Sequence, residues 1–309
     1  MTWPAPAPAS VAEPLVLALF GPTASGKTAV AEAVADRIGG EVVSADAMQA
    51  YDGLPLITNQ PARPTRLVAI WPLDHEGSVA EYGELAHAAI DELLAAGRTP
   101  VVAGGTGLYL RAALCDLRVP PPPPPGARER WEAFYDVDPD AAHAALGERD
   151  PAAAAAVHAH DRRRVVRALE LAEAGASLVP APDRLWSGET RHPTLICGLD
   201  VPKDVLERRI EARTDAMLAA GAAEEARRAL ARPISQTAAQ ALGLRSLAEL
   251  PTAEARAALV LRTRQYAAYQ RKWLRRIPEI VMISADRSGE ETADAILEVA
   301  RARQQLPAR

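Results

Sequence analysis

With 309 residues, 49% of them hydrophobic and 24% charged, the chain can bury a sizeable core and is long enough for one large domain or two modest ones, which excludes disorder throughout. An aromatic share of 4% argues against a stacking-rich binding module, and a net charge of −5 argues at first against a nucleic-acid partner, although the distribution of charge matters more than its sum. Cys115 and Cys197 stand far apart without metal-type spacing and read as reduced thiols, and no run is long and apolar enough to span a membrane, so a cytoplasmic protein without a membrane partner is expected.

In chain order, residues 1–14 are rich in Ala and Pro but lack a basic start and a long apolar run, and read as a flexible tail rather than a signal peptide. The apolar run Leu15 to Phe20 reads as a strand. It leads into Gly21-Pro22-Thr23-Ala24-Ser25-Gly26-Lys27-Thr28 and then an alanine-rich helical pattern ending at Gly39-Gly40. The octapeptide fits G-x-x-x-x-G-K-[ST], the P-loop motif type of ATP-binding proteins. Its glycines let successive backbone N–H groups turn toward one point, the helix N-terminus adds partial positive charge, Lys27 neutralises phosphate oxygens, and Thr28 can reach Mg²⁺. A polyphosphate belongs there; the motif leaves open which compound binds and what attacks it.

Glu41 to Ser44 reads as a second strand with Asp46 at its end, Val79 to Ala96 as a helix closed by Gly97, and Pro100 to Ala103 as a third strand ending in Gly104-Gly105-Thr106-Gly107. This alternation is that of a parallel sheet covered by helices, with ligands beyond the carboxyl ends of the strands, where the P-loop, Asp46 and Thr106 all fall. The pattern breaks at Pro120 to Pro125, six prolines that read as an extended, semi-rigid segment. Helices without strands follow: Arg128 to Tyr135, Ala141 to Leu146, Pro151 to His158 and Arg162 to Ala174. A strand returns at Thr194 to Val201. Then come a helix Lys203 to Ala220, a shorter one through Leu230, a long Arg-rich helix near Ala257 to Arg276, a strand Glu279 to Ser284 and a terminal helix. The expected fold is α/β: a P-loop NTPase-like parallel sheet flanked by helices over 15–116 and 183–309, with an all-helical insertion over 117–182 whose connections serve as hinges.

Basic residues are bunched, with Arg162, Arg163, Arg164 and Arg167 in one group and Arg262, Arg264, Arg271, Lys272, Arg275 and Arg276 in another. Taken alone, each group reads first as a solvated helix face with arginines paired to glutamates, and second as an RNA-binding surface.

The P-loop, Ser44 to Tyr51, Gly104 to Leu114, Asp150 to Glu170, Ala241 to Leu247 and Arg262 to Arg276, in this order, resemble the tRNA dimethylallyltransferase family, also called tRNA isopentenyltransferase, over about Leu15 to Ile277. The resemblance implies transfer of a dimethylallyl group from dimethylallyl diphosphate to N6 of the adenosine at tRNA position 37, 3′ of the anticodon, with Mg²⁺ and release of diphosphate. It implies that the helical insertion grips the anticodon stem-loop, and a monomer is expected. By the resemblance Lys27, the P-loop amides, Mg²⁺ at Thr28 and Arg264 meet the charge on the leaving group. Thr106 hydrogen-bonds a leaving or bridging oxygen, unless its glycines only permit a sharp turn.

An exocyclic adenine amine is a poor nucleophile, and Asp46 is the candidate to accept its N6–H bond and take the proton; the alternative is a carboxylate that holds Mg²⁺ or caps a turn. Reaching N6 requires flipping the base out of its stack. Asp46, Ala47, Met48 and Gln49, and Arg163, Arg164, Val165, Val166 and Arg167, match family positions that contact tRNA, and the Gln49 amide can hydrogen-bond a base edge. The chain departs from the family pattern at Ala47, where Ser is common, at Ile57-Thr58-Asn59-Gln60-Pro61 in place of Gly-Thr-Ala-Lys-Pro, at Thr65 in place of His, and at Ala268-Tyr269 in place of Lys-Arg. These departures touch affinity for diphosphate and tRNA, and activity is expected to survive them. The rivals are a small-molecule P-loop kinase, a free-nucleotide isopentenyltransferase acting on AMP, and a non-catalytic RNA-binding protein.

Overall fold

The structure, a computed structural model, describes residues 15–117, 123–178 and 189–303. The expected tail, part of the six-proline run (120–122) and the C-terminal end of the expected insertion (179–182) lie outside the described residues, as does much of its expected hinges. Within the described chain, contacts divide the residues into two units, one from 15–117 with 189–303 and the other from 123–178.

The first unit is built on five parallel strands, β1 (Val16–Phe20), β2 (Glu41–Ser44), β3 (Pro100–Gly104), β4 (Thr194–Asp200) and β5 (Val281–Ser284), in the order β2-β3-β1-β4-β5. It is a P-loop NTPase-like sheet flanked by helices. Every residue of β1 is buried, as a central parallel strand covered on both faces requires. Phe20 lies in register with Gly104, so the loops leaving β1 and β3 start side by side. The last strand begins at Val281 rather than Glu279, because Glu279 adopts a left-handed φ of 54° and turns the chain into the strand.

Among the described residues, four helices precede the insertion: α1 (Lys27–Ile38), α2 (Pro55–Thr58), α3 (Val79–Ala95) and α4 (Gly107–Leu114). The sequence reading contains neither α2 nor α4. Gly107 opens α4 for a packing reason, since a Cβ there would sit 2.5 Å from the Trp273 ring. On the α3 and α4 side of the sheet, Tyr82 packs at a tilt against Tyr109 with 4.6 Å between centroids and donates to the Ser44 carbonyl at 2.8 Å.

The second unit, taken by itself, holds α5 (Ala127–Val137), α6 (Pro139–Arg149), α7 (Pro151–Ala156) and α8 (Arg162–Glu173). Asp138, Asp150 and Asp161 cap the starts of α6, α7 and α8 with their side chains, and Pro139 and Pro151 take first-turn positions that need no N–H. Its core includes Tyr135, Leu146, Val165, Val166 and Leu169. Inside it, the fully buried Glu170 is paired with Arg128 at 2.8 Å and with Arg167 at 2.9 Å.

The chain returns to the first unit with α9 (Lys203–Ala219), α10 (Ala222–Leu230), α11 (Leu244–Glu249), α12 (Thr252–Leu274) and α13 (Gly289–Ala302). The long helix α12 starts at Thr252, directly behind Pro251 and with Glu254 in its first turn, rather than near Ala257. Val30 and Val34 of α1 and Ile296 and Leu297 of α13 share a core with Leu17, Leu19 and Leu199 of the sheet. Among the described residues no helix is long and apolar enough to cross a membrane. Cys197 is buried in β4, where burial pushes its thiol up to about 12, and both cysteines are free.

Candidate active site

Between β1 and α1 the P-loop turns through two left-handed residues, Ala24 at φ 63° and Gly26 at φ 89°. Ala24 bears a Cβ in a region that costs roughly 1–2 kcal/mol, the sort of strain that a functional loop retains. Ser25 is buried with its hydroxyl unpaired and faces Gly21, where a Cβ would come within 2.9 Å of it. Lys27 is half-buried and donates to the Pro22 carbonyl at 2.8 Å. Desolvation lowers its pKa to about 8; Asp46 pulls it up and Arg213 pushes it down.

Arg213 of α9 is the residue that sequence reasoning missed. Its Nη1 donates to the Thr23 hydroxyl at 2.9 Å, its Nε is buried with no partner, and it forms no ion pair among the described residues. Burial lowers its pKa and Asp46 raises it. The signal was present: Arg213 and Thr214 interrupt an otherwise apolar stripe of Leu206, Ile210 and Met217 at helical spacing, and a polar pair on a buried face needs a reason. One turn earlier, Arg209 donates to the Ala285 carbonyl at 3.1 Å and to the Ser25 carbonyl at 3.4 Å, fixing the back of the P-loop.

These groups line a cavity of about 600 Å³ together with Asp46, Ala47, Met48, Gln49, Thr106 and Tyr266. Asp46 accepts from the Met48 N–H through Oδ1 at 3.0 Å, so one carboxylate oxygen caps the turn and the other is left for a ligand. Thr106 precedes α4 without capping it through its side chain, and its hydroxyl lies 3.4 Å from that of Tyr266. Burial, with Asp46 next in weight, pushes the Tyr266 phenol up to about 12, so it stays a neutral hydrogen-bonding group.

The structure places four sequence-predicted residues differently from expectation. Arg264 does not line the cavity; it is paired with Glu211 of α9, so its charge is already matched, and the place expected for it beside the P-loop is taken by Arg213. Gln49 lines the cavity, but its amide braces the loop, accepting from Ser44 Oγ at 2.9 Å and donating to the Asn59 carbonyl at 2.9 Å. Val165 and Val166 face the core of the helical unit, so their side chains are withdrawn from any ligand. On the same helix Arg163 is exposed and has no ion-pair partner among the described residues, while Arg164 lies 3.7 Å from Asp161. Gln60, one of the departures, donates to the carbonyls of Gln49 and Tyr51 at 3.1 and 2.7 Å and so holds the same loop.

The oxygen donors around Thr28 suit Mg²⁺. A small side pocket joins Thr28, Glu32, Ser44 and Asp46, all hard-oxygen groups, yet among the described residues no cluster of three or more His, Cys, Asp or Glu could hold a metal alone. Mg²⁺ usually takes one or two protein ligands plus substrate phosphates, so this donor set fits an ion that arrives with a polyphosphate.

Comparison with known proteins gives consistent results. The IPP transferase family profile matches residues 49–277, and an isopentenyl transferase profile matches residues 14–66. A tRNA dimethylallyltransferase of Streptomyces coelicolor is 40% identical over 89% of this chain and 93% of its own length, and one from Anaeromyxobacter dehalogenans is 41% identical over 85% and 93%. The crystal structure of a full-length tRNA isopentenylpyrophosphate transferase from Bacillus halodurans superposes with a TM-score of 0.68 at 30% identity, covering 95% of this chain and 98% of that one. A eukaryotic dimethylallyltransferase acting on tRNA shares the fold, with a TM-score of 0.75 at 24% identity over 96% of this chain and 81% of that one.

Proposed function

Because the chain belongs to the IPP transferase family of tRNA dimethylallyltransferases, we propose that it transfers a dimethylallyl group from dimethylallyl diphosphate to N6 of adenosine 37 of tRNA, releasing diphosphate. The observation that carries this reading is the pair of half-buried cations, Lys27 and Arg213, set against the P-loop and lining one cavity with Asp46, with no ion pair of their own among the described residues. Two desolvated positive groups are stabilised by an anion of matching charge, which a diphosphate supplies.

The residues divide the reaction between them. Lys27, Arg213 and the P-loop amides hold the diphosphate and meet the charge that builds on it as the allylic C–O bond breaks. Thr106 donates to an oxygen of the leaving group. The N6 lone pair forms the new bond to the allylic carbon, the electron pair of the broken bond leaves with diphosphate, and the N6 proton passes to the free oxygen of Asp46. When bound, Mg²⁺ would supply further positive charge to the diphosphate; Thr28 would hold it together with the substrate's own oxygens, with Asp46 in the same side pocket.

The flipped adenosine enters the cavity past Ala47, Met48 and the braced Gln49 loop. On the helical unit, exposed Arg163 and Arg164 are the groups that meet phosphates of the anticodon stem-loop. The proposed enzyme is a monomer that works on tRNA in the cytoplasm.

Incubation with labelled dimethylallyl diphosphate, Mg²⁺ and unmodified tRNA, followed by nucleoside analysis, tests the reading. Label is expected in N6-(dimethylallyl)adenosine at position 37, with none in AMP offered alone and no ATP consumed. Label in free AMP, ATP-dependent phosphorylation of a small acceptor, or tRNA binding without diphosphate release would each replace it with one of the rival functions.

A further inference from the structure

Gln270 of α12 is buried, and its amide spans two loops. Its Oε1 accepts from the Thr23 backbone N–H at 2.7 Å, and its Nε2 donates to the Gly105 carbonyl at 2.8 Å. Thr23 belongs to the P-loop that leaves β1, and Gly105 to the turn that leaves the neighbouring strand β3 and carries Thr106. One side chain thus joins the loop that would hold the diphosphate to the loop that would present a hydroxyl to it.

The fit at this junction is tight. A Cβ on Gly105 would fall 2.3 Å from Gln270 Nε2, a separation that no side chain can keep. Glycine at 105 is therefore needed for the amide to reach the carbonyl. One turn earlier on α12, Tyr266 brings its hydroxyl to 3.4 Å from Thr106, so the same helix face touches both the backbone and the side chain of the turn. Both polar ends of a buried amide are paired, which makes any other rotamer expensive and the spacing between the two loops stiff.

We infer that Gln270 is a positioning residue for the transfer reaction, one that fixes the Thr106 hydroxyl relative to the P-loop so that it meets the leaving diphosphate oxygen. The inference rests on the proposed role of Thr106, and the two are separable by experiment. A hydroxyl donor acts on the leaving group only within a few tenths of an ångström of its place, and a displacement of about 1 Å can cost about 10²-fold in rate.

Single-turnover transfer to an anticodon stem-loop, with steady-state kcat and KM for dimethylallyl diphosphate, is measured for Thr106→Val, Gln270→Ala, Gln270→Glu, Gly105→Ala and the Gln270→Ala/Gly105→Ala double variant, after thermal unfolding has identified the variants that fold. Gln270→Glu keeps the shape and the acceptor for Thr23 but loses the donor to Gly105, so it carries the test if Gln270→Ala does not fold. The expected result is a fall of about 10²-fold in kcat for each single variant, with KM changed by no more than about threefold because Lys27 and Arg213 still hold the diphosphate. The double variant should be no slower than about twofold below Gln270→Ala, since the added methyl enters the space the amide leaves.

Gln270 variants at the wild-type rate beside a slow Thr106→Val would overturn the inference. So would Gly105→Ala exerting its full effect on top of Gln270→Ala, or losses confined to KM. If Thr106→Val itself is fast, the role given to Thr106 fails, and with it the route through which Gln270 acts.

Discussion

Arg213 donates to the Thr23 hydroxyl across 2.9 Å, which holds a half-buried guanidinium against the P-loop with no carboxylate paired to it among the described residues. Arg264, a turn and more before Gln270 on α12, instead spends its charge on Glu211. The two arginines therefore differ in what they have left to offer an anion. Arg213→Ala should lower the transfer rate by about 10²–10³, the usual cost of removing one electrostatic partner of a developing charge. Arg264→Ala breaks a half-exposed pair worth about 0–1 kcal/mol of stability and should leave the rate near wild type. Single-turnover rates on a minimal stem-loop, with melting temperatures for both variants, decide it; a slow Arg264→Ala beside a fast Arg213→Ala would reverse the assignment.

The Lys27 ammonium is easier to deprotonate in the folded protein, at about 8 against 10.5 for the free side chain. Its folded pKa lies below its unfolded one, so between pH 8 and 10.5 the unfolded chain binds more protons and this group's contribution to stability rises with pH; below pH 8 the fold bears the full cost of the desolvated charge. A bound diphosphate reverses the preference by favouring the ammonium. Affinity for dimethylallyl diphosphate should accordingly weaken by about tenfold per unit as pH rises above 8, a range in which a phosphate group, with its last pKa near ~6, no longer titrates. Calorimetry at pH 9 in two buffers of different ionisation enthalpy should show proton uptake on binding. Lys27→Met should bind weakly and lose both the pH dependence and the uptake.

Much of this was legible in the sequence because it rests on local pattern. The P-loop, the strand ends that carry Asp46 and Thr106, and the alternation that makes the sheet parallel are all written within a few residues of one another. What escaped is what depends on the approach of distant segments. Arg264 and Arg213 are both arginines on helices, and only the packing of α9 against α12 decides which one faces the P-loop and which finds Glu211. Gly107 looked like part of a turn because glycine breaks helices, yet it starts one so that the Trp273 ring can lie against it. Val165 and Val166 matched positions along with their arginine neighbours, but helical periodicity turns them inward while Arg163 and Arg164 point out.

The basic face of α8 divides in the same way. Arg163 is exposed and without an ion-pair partner among the described residues, and Arg164 is loosely placed near Asp161, whereas Arg167 is tied at 2.9 Å to the fully buried Glu170. Replacing Arg163 and Arg164 together by Ala should weaken tRNA binding and flatten the dependence of log K on log[salt] by roughly 0.7–0.9 per lost phosphate contact, with dimethylallyl diphosphate binding intact. Arg167→Ala should instead lower stability by about 1–3 kcal/mol, because part of a buried carboxylate is left unpaired, and Glu170→Gln in the same chain should restore much of it. Filter binding across a salt series and chemical denaturation separate the two effects. An unchanged salt slope in the Arg163/Arg164 variant would remove this face from the RNA contact.

Asp46 combines two duties that one substitution can part. Its Oδ1 accepts the Met48 N–H at 3.0 Å and shapes the loop that lines the cavity, while its charge raises the pKa of both Lys27 and Arg213. Asp46→Asn keeps an oxygen for Met48, so the loop should hold, but it cannot take the N6 proton. Turnover should fall by about 10²–10⁴, with affinity for dimethylallyl diphosphate near pH 7 barely altered. Loss of the carboxylate charge also lets the Lys27 pKa drop further, so the pH at which diphosphate affinity begins to weaken should move below its wild-type position of about 8. If Asp46 chiefly holds the metal instead, excess Mg²⁺ should restore much of the lost rate and diphosphate affinity should fall in parallel with it. Single-turnover transfer to a stem-loop RNA across a Mg²⁺ titration distinguishes these outcomes, and near wild-type turnover of Asp46→Asn at every Mg²⁺ concentration would remove Asp46 as the proton acceptor.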